Sequence, residues 1–454
     1  MKWWPTTIGE LVERGVISVQ TGPFGSQLHA HDYRDAGVPV VPTEAIRNRR
    51  IDRSVCPVID QQKAATLVRH RLEVGDILFA RRGVQATGHI GVVRAAEAGF
   101  VCGTGAIRLR VAENDLVDAE YLSHVLADPA SISWFKHHAI GATMPNLNEG
   151  IIKSFPLSLP SIQYQHRVAA IMSAMDDKIE LNKRTNETLE VLAQAIFGDW
   201  FVDFGPVRRK LAGERDPVAI MGGITLDPVK AAKVAALFPD ALDGNAQPTS
   251  WRVYALGELA DLSKKTTAPS NQPNDLFAHY SLPAFDAGVG PAMDWGADIK
   301  SNKTVVPPGA VLLSKLNPEI PRVWIPDEPN GTTPVCSTEF LVLMPSAVSN
   351  RSLLYSLFGS HSFRKTLEGM VTGTSKSHQR VNPTALLNVN AVLGTSAIFE
   401  AFGQFADPLI ARRLAASIES RTLAETRDYL LPRLMSGKVR VAELETPDQQ
   451  VRAS

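Results

Sequence analysis

The chain has 454 residues, 44% of them hydrophobic, and its 47 basic and 47 acidic side chains leave no formal net charge. That length holds two or more domains, and zero net charge argues against a protein that grips nucleic acid by bulk charge alone. Three scattered cysteines, Cys56, Cys102 and Cys336, exclude a disulfide framework or a zinc site and point to a reducing, cytoplasmic setting. No stretch approaches membrane-spanning length, so no membrane partner is expected.

The chain opens with Trp3-Trp4-Pro5 and a short helix. The segment ISVQTGPFGSQLH follows, in which Gly22-Pro23-Phe24-Gly25-Ser26 is turn chemistry between strand-like pieces. No helix-opening pattern or Lys-Ser/Thr pair comes after it, so it is not a phosphate loop. A basic run at Arg47, Asn48, Arg49, Arg50 and Arg53 reads either as a solvated face or as part of a binding surface. Short strands (DILFARRG, HIGVVRA, AIRLRV) and helices around residues 119–127 and 131–138 come next, and GATMPNLNEGIIKSFPLSLPS closes the module. Strands mixed with short helices indicate an α+β domain rather than alternating βαβ units.

Residues 165–200 have no Gly before Gly198 and no Pro, and apolar positions recur at steps of three and four: Val168, Met172, Met175, Ile179, Leu189, Ala193, Ile196 and Trp200. Such a seam packs one helix along another, and its two polar members, Asn182 and Asn186, suit a register-fixing pair. The Gly-, Pro- and Ala-rich stretch to about residue 250 reads as a connector with one helical piece near 228–237. The plan then repeats. A shift of 234 positions carries Gly75 to Gly309, Arg81 to Lys315, Cys102 to Cys336 and Asn148 to Asn382. It also carries the seam to a second helix with Leu409, Leu423 and Leu430 on its line and Arg413, Ala416 and Ser420 in a polar middle. One module is used twice, each copy ending in a long helix. Its loops differ: where the first copy has the Gly-Pro-Phe-Gly turn, the second has KKTTAPSNQPND.

Catalytic constellations are missing. There is no P-loop, dinucleotide fingerprint, His-Glu-x-x-His, Gly-x-Ser-x-Gly or base-flipping Asn/Asp-Pro-Pro-Tyr tetrapeptide, and His137 and His138 diverge on their helix rather than converge on a metal. The segments TGPFGSQLH (21–29), GDWFVDFGPV (198–207), LFPDAL (237–242) and RDYLLPRLMSGKVRV (427–441), in that order within a duplicated chain, resemble the specificity (S) subunits of type I restriction-modification systems. The resemblance runs from Trp3 to Val441. It implies an α+β fold with two tandem target-recognition domains, each followed by a long α-helix, the two helices forming an antiparallel coiled coil. The expected boundaries are 1–162 for the first domain, 163–205 for its spacer helix, 206–248 for the connector, 249–396 for the second domain, 397–440 for its helix and 441–454 for a polar tail.

The resemblance further implies that each domain reads one part of a split, asymmetric double-stranded DNA site. The helices would dock methyltransferase (M) subunits, which carry S-adenosylmethionine. A restriction (R) subunit would carry the ATP- and Mg-dependent nuclease, so this chain needs no cofactor or metal of its own. Guanidinium and amide side chains read base edges, and the loop positions shared by the repeat nominate the readers. In the first domain these are Ser26, Gln27, Arg47, Arg49, Arg50, Arg81, Arg82, Gln85, Thr143 and Asn146. In the second they are Lys264, Lys265, Lys315, Asn317, Lys376, His378, Gln379 and Arg380. The competing reading is a duplicated, non-catalytic scaffold that binds protein or glycan, which the neutral charge permits. A sequence-dependent gel shift separates the two.

Overall fold

The structure, a computed structural model, describes residues 3–25, 27–141, 143–288, 290–327, 331–372, 379–439 and 441. The chain folds as two compact units, one of residues 1–177 and 423–454, the other of residues 178–422. Both are α+β.

The first unit is built on an antiparallel sheet in the order Ile17–Thr21, Ala106–Val111, Ile77–Ala80, Ile90–Val92. Ile107 sits opposite Thr21 on one side and Phe79 on the other. The strand Ile77–Ala80 is buried at every position. Successive side chains of a strand point to opposite faces, so Ile77 and Phe79 join the main core under the helices, with Ile8, Leu11, Leu122 and Leu126. Leu78 and Ala80 fill a smaller core on the other face with Val41, Ile46 and Cys102. Burial of this kind explains a continuous apolar run rather than an alternating one.

The second unit repeats this construction. Its sheet runs Ala260–Ser263, Phe340–Pro345, Val311–Ser314, Val323–Trp324. Val311 and Leu313 face the large core, and Leu312 faces the small one with Cys336. The turn glycines correspond, Gly75 at φ +90° and Gly309 at φ +83°, a conformation that side chains with a Cβ rarely adopt. Helix caps correspond as well: Asn148 accepts from the Ile151 N–H, and Asn382 accepts from Thr384 and Ala385. Each unit also pairs its opening strand with the strand before its long helix, Trp4–Thr7 with Pro156–Leu159 and Arg252–Ala255 with Asn390–Leu393. The short helix that the sequence suggests follows the opening strand, at Ile8–Glu13.

The long helices are Ile162–Phe197 and Ser396–Met435. In the first unit, Tyr164, Val168 and Met172 share a core with Leu431 and Leu434, and the Tyr164 hydroxyl donates to the Leu434 carbonyl at 3.1 Å. In the second, Asn182 donates to Glu419 at 2.9 Å, Asn186 to Ser417 at 3.0 Å, and Arg413 pairs with Glu190 at 3.2 Å. Rising numbers on one helix meet falling numbers on the other. The first helix ends in a π-turn, Gly198–Val202, and a left-handed Phe204 at φ +55°.

Residues 206–248 are folded, not extended. They form helices Gly205–Leu211, Pro217–Ile220 and Pro228–Ala235, and Val207, Ile220, Val234 and Phe238 lie in the second unit's core. Proline in the first turn of each helix starts it rather than breaks it, and Asp216 and Asp227 cap the later two. Trp200 packs edge-on to Phe238 at 5.1 Å.

Candidate nucleic-acid interface

Antiparallel register brings three loops of the first unit to one end of its main sheet. The strand ending at Thr21, the strand ending at Ala80 and the strands beginning at Ala106 and Ile90 all terminate there. The Gly22 N–H donates to the Ala106 carbonyl at 2.9 Å, and a Cβ on Gly22 would lie 2.0 Å from the Gly103 oxygen, so only glycine fits this crossing. Arg81 donates its N–H to Gly105 at 2.9 Å and accepts from Leu147 at 2.8 Å. The second unit reproduces both bonds 234 positions later: Lys315 donates to Glu339 at 3.0 Å and accepts from Val381 at 2.9 Å. The bridge Arg82–Asn146 recurs as Leu316–Arg380.

On this frame Arg82, Gln85, Arg47, Gln27 and Thr143 are exposed. Gln27 folds back to accept from the Phe24 N–H at 3.1 Å, and Arg82 reaches Thr104 at 3.5 Å. Arg81 is half-buried and donates to the Asn146 amide oxygen at 3.0 Å and to the Leu147 carbonyl at 3.1 Å, so this pair is mutually braced. Residues 22–25, 81–89, 103–105 and 140–147 contain no Asp or Glu. Burial first, then Lys136 and Arg47, hold the His89 imidazole below its usual pKa. Glu149 accepts from the Thr21 N–H and hydroxyl at 2.9 and 3.0 Å; burial opposes its ionisation, but these bonds and Lys153 keep the carboxyl below its usual value. Nothing in the local sequence marks Glu149 as the brace of a turn 128 residues away.

Arg49 and Arg50 are placed differently. Asn48 and Arg49, at φ +50° and +59°, form the two-residue turn of the hairpin Ile46–Arg47/Arg50–Ile51. Arg47 points outward, whereas Arg49 is 5% exposed and ion-paired to Glu120 and Asp176, with Ser123 at 3.0 Å. Arg94 joins Glu120 at 3.0 Å and Arg427 joins Asp176 at 2.7 Å. Arg50 pairs with Asp177 at 3.5 Å. These charges tie the hairpin, the helix Ala119–Ala127 and both long helices within one unit.

In the second unit Lys264 and Lys265 are exposed, Lys315, Asn317 and Gln379 are half-buried, and Arg380 is held by Glu339 at 3.0 Å. Asn317 stands at φ +50° with its N–H on the Gln379 carbonyl at 3.0 Å. Ser26, Lys376 and His378 lie outside the described residues. On the seam, Asn182 is 1% exposed and Ile179, Asn186, Leu189, Ile196, Leu409, Leu423 and Leu430 are half-buried. Among the described residues no group of three or more His, Cys, Asp or Glu side chains could hold a metal ion, and no helix is long and apolar enough to cross a membrane.

Residues 58–191 match the type I restriction modification DNA specificity domain. The type I restriction enzyme HindI specificity subunit of Haemophilus influenzae is 25% identical over 72% of this chain and 78% of its own length. The MjaIX specificity subunit of Methanocaldococcus jannaschii is 22% identical over 73% and 71%. The crystal structure of a type I restriction-modification S subunit from M. genitalium covers 96% of both chains at a TM-score of 0.59 and 12% identity, a likeness of fold. The domain match and both relatives point the same way: the chain is similar to the specificity subunits of type I restriction-modification systems.

Proposed function

We propose that this chain is the non-catalytic DNA-recognition subunit of a type I restriction-modification complex, with each unit reading one part of a bipartite, asymmetric site. The two long helices would form an antiparallel coiled coil that spaces the readers and docks methyltransferase subunits. S-adenosylmethionine would be bound by those subunits and ATP and Mg by a restriction subunit, all in the cytoplasm. The target-recognition domains would be residues 1–162 and 249–396, with spacer helices at 163–205 and 397–440. Arg47, Arg82, Gln85 and the Arg81–Asn146 pair are the readers in the first domain; Lys264, Lys265, Lys315 and Gln379 are the counterparts in the second. Arg49 belongs instead to the scaffold.

The observation that carries this reading is a sheet, register and loop-bearing edge built twice, with framework bonds conserved between copies and unlike side chains in the loops. Identical frames with different edges suit two domains that read different sequences. The test replaces residues 1–161 with the equivalent part of a related subunit, co-expresses a methyltransferase subunit and maps methylated sites. One half-site should change and the other persist. Methylation altered in both halves, or a gel shift without sequence preference, overturns the reading.

A further inference from the structure

We infer that the first unit recognises thymine through its 5-methyl group, using Phe24, Val84 and Met144 as apolar base contacts; this rests on the DNA-reading role proposed above. The three side chains are 65%, 71% and 64% exposed. A single exposed apolar residue needs no explanation. These three stand on separate loops at one end of one sheet, and the loops of Val84 and Met144 are joined by the Thr87 hydroxyl donating to the Pro145 carbonyl at 3.1 Å.

Phe24 is held out rather than left loose. Its carbonyl accepts from Gln27 at 2.8 Å and its N–H donates to the Gln27 side chain at 3.1 Å, while Gly22 and Thr21 are pinned to Ala106 and Glu149. The backbone that presents Phe24 is therefore already held, so binding orders less of the chain. The surrounding loops carry Arg82 and Gln85 and no carboxylate, which suits a polyanion with base edges to pair. In the major groove the thymine methyl is the one apolar feature offered beside those polar edges, and phenylalanine is a fitting contact for it. An apolar wedge between base steps works from the minor groove, away from the edges that guanidinium and amide groups read best. The second unit has Lys264 and Lys265 after its corresponding strand, and Glu319 and Glu339 at the positions that correspond to Gln85 and Gly105, and so serves as an internal control.

The experiment uses the full chain with its methyltransferase subunit on the mapped site. Each thymine is replaced in turn by deoxyuridine, which lacks only the methyl group, and affinity is read by fluorescence anisotropy. At least one first-half position should lose about fourfold, the worth of one buried methyl group. One of Phe24→Ala, Val84→Ser or Met144→Ser should abolish that difference, while thymines of the second half-site respond as before. A first half-site without thymine, no response to deoxyuridine there, or a response that survives all three substitutions overturns the inference. So does a rise in 2-aminopurine fluorescence with the wild-type chain that Phe24→Ala removes, the mark of a wedge. Sequence-specific binding without methyl dependence defeats this inference alone; loss of sequence-specific binding altogether defeats the recognition role as well.

Discussion

Arg49 and Arg82 carry the same group, and their surroundings give them opposite work. Arg49 is enclosed by Glu120, Asp176 and Ser123, and removing it leaves Glu120 to Arg94 and the Ser173 hydroxyl, and Asp176 to Arg427. Breaking a buried pair at one end costs about 3 kcal/mol or more. Arg49→Met should therefore lower the urea midpoint of unfolding while the folded protein keeps its DNA affinity within about twofold. Arg82→Ala should do the reverse, with stability changed by less than about 0.5 kcal/mol and affinity reduced roughly 10- to 100-fold. Acid sensitivity belongs to the same cluster. Burial, then Arg49, push the His124 imidazole down to about 3. Burial alone would raise the Glu120 carboxyl, but Arg49, the Ser173 hydroxyl and Arg94 outweigh it and hold it at about 2. Between pH 6.5 and about 3 the unfolded chain binds a proton at His124 that the folded chain refuses, so stability falls with pH by up to about 1.4 kcal/mol per unit. The Glu120 contribution is complete above 4.5 and is lost as pH drops toward 2. Urea midpoints measured from pH 7 to 5 should fall for the wild type and flatten in His124→Gln; an unchanged slope rejects the assignment.

At the scale of elements, the paired contacts of the long helices define how they tolerate change. Asn182 meets Glu419, Asn186 meets Ser417 and Glu190 meets Arg413. Seven residues inserted between Asn182 and Asn186, with seven more between Ser417 and Glu419, keep every seam position facing its partner. Each helix grows by about 10 Å, equivalent to roughly three base pairs. The half-sites should then sit about three base pairs further apart with unchanged bases, as read by methylation-aware sequencing. Two-residue insertions at the same places turn the seam away and should abolish assembly; unchanged spacing in both cases rules out the helices as a ruler. The π-turn that ends the first helix buries Trp200, 1% exposed, against Phe238, Phe402 and Phe405. Trp200→Ala should cost about 3–5 kcal/mol, read as a shifted urea midpoint.

At the scale of the whole molecule, the duplication predicts what half of it will do. Residues 1–205 retain Tyr164, Val168 and Met172 but lose Leu431 and Leu434, which complete their core. Phe197 and Trp200 stand 234 positions before those leucines, so a second copy of the fragment offers apolar residues at the equivalent places. A two-fold dimer is the closed arrangement that satisfies both copies. With a methyltransferase subunit it should methylate a palindromic version of the first half-site. A stable monomer in analytical ultracentrifugation, or methylation at the original asymmetric site, contradicts the quasi-equivalence.

The repeat was legible in the amino-acid sequence because like residues at a fixed offset perform like backbone tasks: Gly75 and Gly309 turn, Asn148 and Asn382 cap, Arg81 and Lys315 close the same pair of main-chain bonds. The helix seam was legible because burial along a helix follows a fixed period. What each basic side chain does was not. Arg47 and Arg49 differ by two positions across a hairpin tip, and the choice between solvent and a buried ion pair is made by Glu120 and Asp176, distant in the chain. A basic run alone does not say which of its side chains is turned inward. The connector's fate was likewise decided by packing: its prolines and alanines suit a linker until Trp200 and the second unit's core give Val234 and Phe238 a surface to cover. Local sequence sets backbone tasks and periodicity, whereas charge pairing and burial depend on partners that only the tertiary fold brings within reach.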